Sequence, residues 1–378
     1  MQSALPAESA TSRSKPDDAS SAGFGTGTTI DANAVKRLAK ELGADLVGIA
    51  SAATLNAFPP DPQWPQTPER ISPRCKSVIV IVQRIPVGAF RCKYNTAVQY
   101  IDMLVLRKMD KIAYRLASAM ERAGHPTFVT TTSETEWTYK RASYARLSTR
   151  HLGVEAGLGT LGLEVNLLTP EFGPRVYLTG ILTELELEPD SPMKEQVCIG
   201  ESCSRCLHSC PANAVLHFGI DKRKCAPVAQ EFGFASMLGI FDSVFASPEN
   251  TSKMFRSRDF FGFWQGLLRV VGSFGDCPRC LAVCPVGNDY HAHLADLQKV
   301  IPEKTPEKVA LGKSFKDARS KHDAGAINKL PGLSDWNVRW VGPEGYRGMV
   351  AKQMQVFKKQ QNALAKTSNG AESDVQET

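Results

Sequence analysis

Apolar and polar positions along the chain change rhythm several times. Behind Asp31, a good N-cap, apolar side chains recur at Val35, Leu38 and Leu42, and Gly43 follows, so the spacing predicts a short helix. Asp45–Ser51 then reads as a short buried strand. The run Ser77-Val78-Ile79-Val80-Ile81-Val82 is β-branched and unbroken, which predicts a strand covered on both faces. From Tyr94 to Gly124 the pattern turns helical, with Ile101, Leu104, Met109, Ile112, Leu116 and Met120 along one side. Phe128–Thr131 predicts a strand, a helical stretch ends at Gly157, and Arg175–Glu184 predicts another strand. Strands alternating with helices argue an α/β (α+β) domain over 29–190. From Pro189 the texture changes to short segments and Cys-Pro pairs, giving a second unit over 191–288. Residues 289–378 form a polar, partly helical extension, and residues 1–28, rich in Ser, Gly and Thr, read as a disordered tail.

Composition narrows the class. The 378 residues are 42% hydrophobic and 22% charged, an ordinary globular balance able to bury a core. Lys plus Arg exceed Asp plus Glu by 45 − 39 = 6, too little and too dispersed to argue a nucleic-acid protein. No window approaches the roughly 18 unbroken apolar residues of a membrane span. The first 28 residues hold no apolar core and no twin-Arg pair, so the expected location is the cytoplasm.

Ten cysteines change the picture, because eight of them fall between Cys198 and Cys284. A cytoplasmic chain has little use for disulfides, so such clustering points to metal or redox chemistry. The first motif is Cys198-x4-Cys203-x2-Cys206-x3-Cys210-Pro211, the second Cys277-x2-Cys280-x3-Cys284-Pro285. Closely spaced thiolates ending in Cys-Pro wrap a cubane, and in two-cluster ferredoxins the last cysteine serves the other cluster. That exchange assigns Cys198, Cys203, Cys206 and Cys284 to one [4Fe-4S] cluster. Cys210, Cys225, Cys277 and Cys280 go to the other. The wide first spacing requires a bulge around Ile199-Gly200-Glu201-Ser202. Zinc is the competing reading, since paired Cys-x2-Cys motifs also make four-thiolate sites, but Cys-Pro endings used twice are not a zinc pattern. Cys75 and Cys92 read as ordinary packed thiols.

Upstream lie Ala156-Gly157-Leu158-Gly159-Thr160-Leu161-Gly162, then Thr169-Pro170-Glu171-Phe172-Gly173-Pro174-Arg175-Val176 and Leu182-Thr183-Glu184-Leu185. With the two cysteine motifs and the early Lys40–Ala50 segment, this resembles the corrinoid-dependent reductive dehalogenases and their relatives the epoxyqueuosine reductases, over about residues 33–290. Gly157-x-Gly159-x-x-Gly162 also matches the dinucleotide fingerprint, but without the strand before and helix after that the fingerprint needs.

The resemblance implies a nitroreductase-like, corrin-binding core followed by a ferredoxin-like domain with two [4Fe-4S] clusters. It implies cobalamin, with Gly157, Leu158, Gly159, Gly162 and Arg175 as the matching cofactor-binding positions, a solvated arginine being the plain alternative at Arg175. The implied activity is that of a reductive dehalogenase acting on a small organic, organohalide-type substrate, with electrons from a low-potential donor such as a ferredoxin or flavodoxin. Dehalogenases of this kind use a Tyr activated by a neighbouring cation. Tyr139-Lys140-Arg141 and Tyr144 with Arg146 supply those residue types, Tyr144 lying beside Ser143. Epoxyqueuosine reductases instead carry an Asp-Thr-Ala-Pro segment near that point, which this chain lacks. An epoxyqueuosine reductase-like enzyme acting on tRNA and a corrinoid-free electron-transfer protein are the alternatives. The run Phe260-Phe261-Gly262-Phe263-Trp264 is expected to pack in a core or to shield a cluster from water.

Overall fold

The computed structural model describes residues 23–24, 29–61, 64–91, 96–130, 136, 138, 145–229, 234–258, 260–261, 263–264, 277–288, 306–320 and 338–340. Along the first half come α1 (Ala32–Glu41), β1 (Leu46–Ser51), α2 (Ala52–Ala57), β2 (Ser77–Arg84) and α3 (Thr96–Arg122). They are followed by β3 (Thr127–Val129), α4 (Thr149–Glu155), β4 (Thr160–Leu161), β5 (Leu167–Leu168) and β6 (Val176–Thr183). The cysteine-rich half holds α5 (Arg205–Ser209), β7 (Val215–Leu216), β8 (Gly219–Asp221), α6 (Lys222–Ala229), α7 (Phe234–Ala246) and α8 (Thr251–Phe255).

Local chemistry sets the ends of α1. The Asp31 carboxylate accepts the Ala34 amide at 2.7 Å, and Gly43 leaves the helix at φ +107°, a conformation that costs glycine nothing. The central sheet has the order β1-β2-β6-β3, every neighbouring pair antiparallel. Ile79 and Ile81 of β2 turn toward α1 and α3, meeting Val35, Leu38, Ile112, Leu116 and Met120. Val78, Val80 and Val82 turn the other way, onto Leu152 and Ala156 of the α4 segment. Helices on both faces explain why β2 is an unbroken apolar run. Each such side chain, fully buried, contributes about 1.5–3 kcal/mol.

The elements expected from the apolar rhythm are present, but their alternation does not make parallel crossovers. The chain leaves β1 at Ser51 and re-enters β2 at Ser77 directly beside it, at the same end of the sheet, so the pair must run antiparallel. Leu104 is 57% exposed, against expectation. It lies five residues before Met109, about 140° around the helix, and Val105 and Leu106 take the inward positions. Phe128 too is exposed, on the edge strand β3. The stretch 289–378, expected as a polar extension, contributes to the cysteine-rich half. Its helix Pro306–Ser320 buries Phe315 completely, and its strand Val338–Trp340 pairs with β8. Among the described residues no helix is long and apolar enough to cross a membrane.

Candidate metal centre

The β4–β5 hairpin delivers its tip to the cysteines. Val165 sits at φ +66°, its amide bonds back to Gly162, and the Gly162 amide bonds to Asn166, so the turn presents Leu163 and Glu164 rigidly. In the first motif, Gly200–Ser202 forms a tight turn with Gly200 at φ +80°, the bulge the wide spacing demands. Ser204, left-handed at φ +45°, then starts α5, which carries Cys206. The result is one cavity of about 290 Å³, open in part to solvent, lined by Cys198, Cys203, Cys206 and Cys284 together with Leu163 and Glu164.

The other four cysteines form a neighbouring group. Cys225 on α6 lies within the electrostatic reach of Cys210 and Cys277, and Cys280 within that of Cys225, Cys277 and Cys210. The Ala214 amide donates to Cys210 Sγ at 3.2 Å, and Val215 and Phe218 wall this group with apolar surface. Among the described residues no three His, Cys, Asp or Glu side chains close on one point as a single ion requires. A four-iron cage spreads its thiolates wider than that.

Burial pushes the thiols of Cys198, Cys206, Cys280 and Cys284 up, and that of Cys225 to about 11. Like charges nearby add to the effect, so the chain alone holds these sulfurs as neutral thiols. Bound iron would supply the positive charge that makes them thiolates. Eight sulfurs in two adjacent groups, three of them buried and five half-buried, are a donor set that fits two iron–sulfur clusters. Among them sits Glu164, wholly buried, its carboxyl pushed up to about 7 by desolvation. The sequence reading passed over it; the signal was an acid in an otherwise apolar stretch after Gly162. Lys308 was also missed: it is buried, and its Nζ donates to the carbonyls of His208 at 2.8 Å and Cys210 at 3.0 Å. Nothing in its Lys-rich helix marks it in advance.

Arg175 is fully buried rather than solvated. Its Nη1 donates to the carbonyls of Leu281 at 3.2 Å and Cys284 at 3.1 Å, and its Nη2 to that of Val286 at 2.8 Å. Gly173, at φ +58°, passes so close that a Cβ there would meet the Val286 carbonyl at 2.0 Å, and the Asn288 amide bonds Glu171. The Thr169–Arg175 segment therefore clamps the second cysteine loop onto the sheet. The guanidinium expected at a corrinoid is spent on this loop. A Cβ at Gly157 would meet Ser191 O at 2.5 Å, at Gly159 Leu168 O at 2.1 Å, and at Gly162 the Leu168 side chain at 2.5 Å, while Leu158 packs under the sheet. Leu158 and Arg175 thus face protein and, as placed, do not fit a corrinoid, while the three glycines have protein on the side a side chain would take. A strand, β4, lies between Gly159 and Gly162, where a dinucleotide fingerprint opens a helix.

Tyr139, Lys140, Arg141 and Tyr144 lie outside the described residues, as does Cys92. Arg146 is exposed, and its charge acts on Glu136, whose carboxyl is held low chiefly by hydrogen bonds from Thr138. Cys75 is half-buried and donates to Ser77 O, the packed thiol expected. In the aromatic run, Phe263 is buried and stacks near Phe260, but Phe261 and Trp264 point to solvent, one helical turn apart on the opposite side.

An antiparallel sheet between helices is joined to a unit that gathers two sets of four cysteines. Sequence comparison gives it relatives. No family model matches the chain. Epoxyqueuosine reductase of Bacillus cereus is 27% identical over 317 residues, 74% of this chain and 71% of that protein. Epoxyqueuosine reductase of Bacillus subtilis is 25% identical over 68% of this chain and 64% of its own length. Tetrachloroethene reductive dehalogenase of Dehalobacter restrictus is 30% identical over 38% of this chain and 24% of its own. The chain is thus similar in sequence to epoxyqueuosine reductases and, over a shorter stretch, to a reductive dehalogenase. Among solved structures, a B12-dependent reductive dehalogenase aligns at TM-score 0.46 and 20% identity over 81% of this chain and 39% of its own. Epoxyqueuosine reductase with a tRNA stem loop aligns at 0.42 and 19% over 85% and 79%. Those two likenesses are too loose to build on. The expectation that nucleic acid is an unlikely partner finds no support among these relatives.

Proposed function

We propose that the chain is an iron–sulfur reductase holding two four-iron clusters, one on Cys198, Cys203, Cys206 and Cys284, the other on Cys210, Cys225, Cys277 and Cys280. The carrying observation is that cysteines of both motifs line one cavity. Bound clusters supply one-electron chemistry at low potential. The protein fixes the cysteine loops through Arg175 and Lys308 and excludes water with Leu163, Val215 and Phe218. Residues 29–190 form the nitroreductase-like core of this reading and 191–288 its ferredoxin-like unit. The first reading of the reaction is dehalogenase-like, the reductive cleavage of a carbon–halogen bond in a small organic substrate, with a ferredoxin or flavodoxin as electron donor. The missing acid at Ser143 supports it. The length of the match to Bacillus cereus epoxyqueuosine reductase favours a second reading, reduction of a modified base on tRNA. No step is assigned to a corrinoid, since the residues expected to hold it are engaged by the protein.

Anaerobically purified protein, analysed for iron, sulfide, zinc and cobalt, should carry about eight irons and eight sulfides per chain. Zinc, or half that iron, overturns the eight-ligand assignment. Assays on halogenated phenols and on epoxyqueuosine tRNA then separate the two readings. Eight irons with neither turnover would leave an electron carrier.

A further inference from the structure

The first cavity holds one more donor than a four-iron cluster needs. Glu164 lines it beside the four sulfurs, is completely buried, and makes a hydrogen bond with Cys206. Its Oε1 has no hydrogen-bond partner among the described residues. Among the described residues its carboxyl meets its own backbone amide and the Cys206 sulfur, and burial strips it of water. A carboxyl so placed is unfavourable unless it is neutral or bound to a metal. Nor is it there by slack in the chain, because the hairpin turn with Val165 at φ +66° fixes it. The nearest weak point among the thiols is Cys198. It lies on the irregular side of the first motif, next to exposed Ile199 and Gly200 at φ +80°, ahead of the helix that steadies Cys206.

We propose that Glu164 is a reserve oxygen ligand of this cluster, a carboxylate able to take the iron corner that Cys198 supplies. The inference rests on the two-cluster reading. The exchange is balanced: a Glu164 O–Fe bond forms as the Cys198 S–Fe bond breaks, the carboxyl proton passes to the released thiolate, and no electron moves. One anionic ligand replaces another, so the cluster keeps its charge. Hard oxygen binds iron less tightly than sulfur does, so the thiolate corner is the resting form.

The test compares wild type, Cys198→Ala, and Cys198→Ala with Glu164→Gln, each reconstituted anaerobically with iron and sulfide and read by iron content and Mössbauer spectroscopy. Wild type and Cys198→Ala should both hold about eight irons. The single variant should show one iron of its first cluster with an oxygen-ligated signature. Adding Glu164→Gln should remove at least one iron, and Glu164→Cys in the same background should restore it with an all-sulfur spectrum. Equal iron in the single and double variants overturns the proposal. If Cys198→Ala does not fold, Glu164→Gln alone decides: an iron chelator should strip it several-fold faster than wild type, and equal rates overturn the proposal. Wild type without iron fells the cluster reading and this proposal with it, whereas wild type with eight irons and indifferent variants fells this proposal alone.

Discussion

Arg175 and Lys308 are two buried cations that grip the cysteine loops from opposite ends of the sequence. Arg175 gives its guanidinium protons to the carbonyls of Leu281, Cys284 and Val286; Lys308 gives its ammonium protons to those of His208 and Cys210. Carbonyls turned toward a buried cation are left without donors when the cation is removed, and hydrogen bonds to a charged group contribute about 1.5–3 kcal/mol each. Arg175→Leu should therefore lower unfolding free energy by about 3–5 kcal/mol in urea titrations, with loss of iron from the Cys284 site. Arg175→Lys should recover little, since an ammonium cannot match a planar fork reaching three carbonyls of one loop at once. Sequence could offer Arg175 only as a position matching a family motif. That its charge faces inward depends on the Cys280–Val286 loop folding over it, a contact 106 to 111 residues away.

Among the elements, β2 and α3 were legible because a single period runs through each, unbroken apolar in one and nearly helical in the other. Strand direction was not, since an antiparallel return and a parallel crossover leave the same alternation of elements in the chain. The glycine-rich hairpin was legible as a special backbone and not as to its purpose. Its glycines allow protein to touch protein: Gly159 against the Leu168 carbonyl, Gly173 against that of Val286. Gly159→Ala should lower the melting temperature by many degrees or prevent folding, because a Cβ 2.1 Å from a backbone oxygen has nowhere to go. Gly88→Ala, with nothing among the described residues within 4 Å of the added carbon, should change stability by no more than about 0.5 kcal/mol and serves as the control. Thermal melts of both variants check the pair.

For the whole molecule, the buried thiols tie stability to pH when iron is absent. An unfolded cysteine ionises near 9, whereas Cys225 in the folded chain stays protonated to about 11. Its folded value is raised, so the stabilisation is complete below pH 9 and drains away between 9 and 11. Cys198, Cys206, Cys280 and Cys284 are shifted in the same direction. Iron-depleted protein should therefore show a urea midpoint that falls from pH 8 to pH 10, while iron-loaded protein, whose sulfurs are already thiolates, should hold its midpoint. A flat midpoint in the depleted protein would mean the thiols are wetter than their burial indicates. The cavity that gathers Cys198, Cys203, Cys206 and Cys284 also has a history in the life of the chain. Its walls come from residues 163–164, 198–206 and 284–286. A ribosome that has just released the first motif has produced three sulfurs and an open trough. The enclosure closes only after residue 286 has emerged, and the lysine that steadies Cys210 follows some twenty residues later. The cluster proposed at this cavity can therefore be enclosed only after residue 286 has been made, and a chain cut before that point would leave the three thiols of the first motif without their fourth wall.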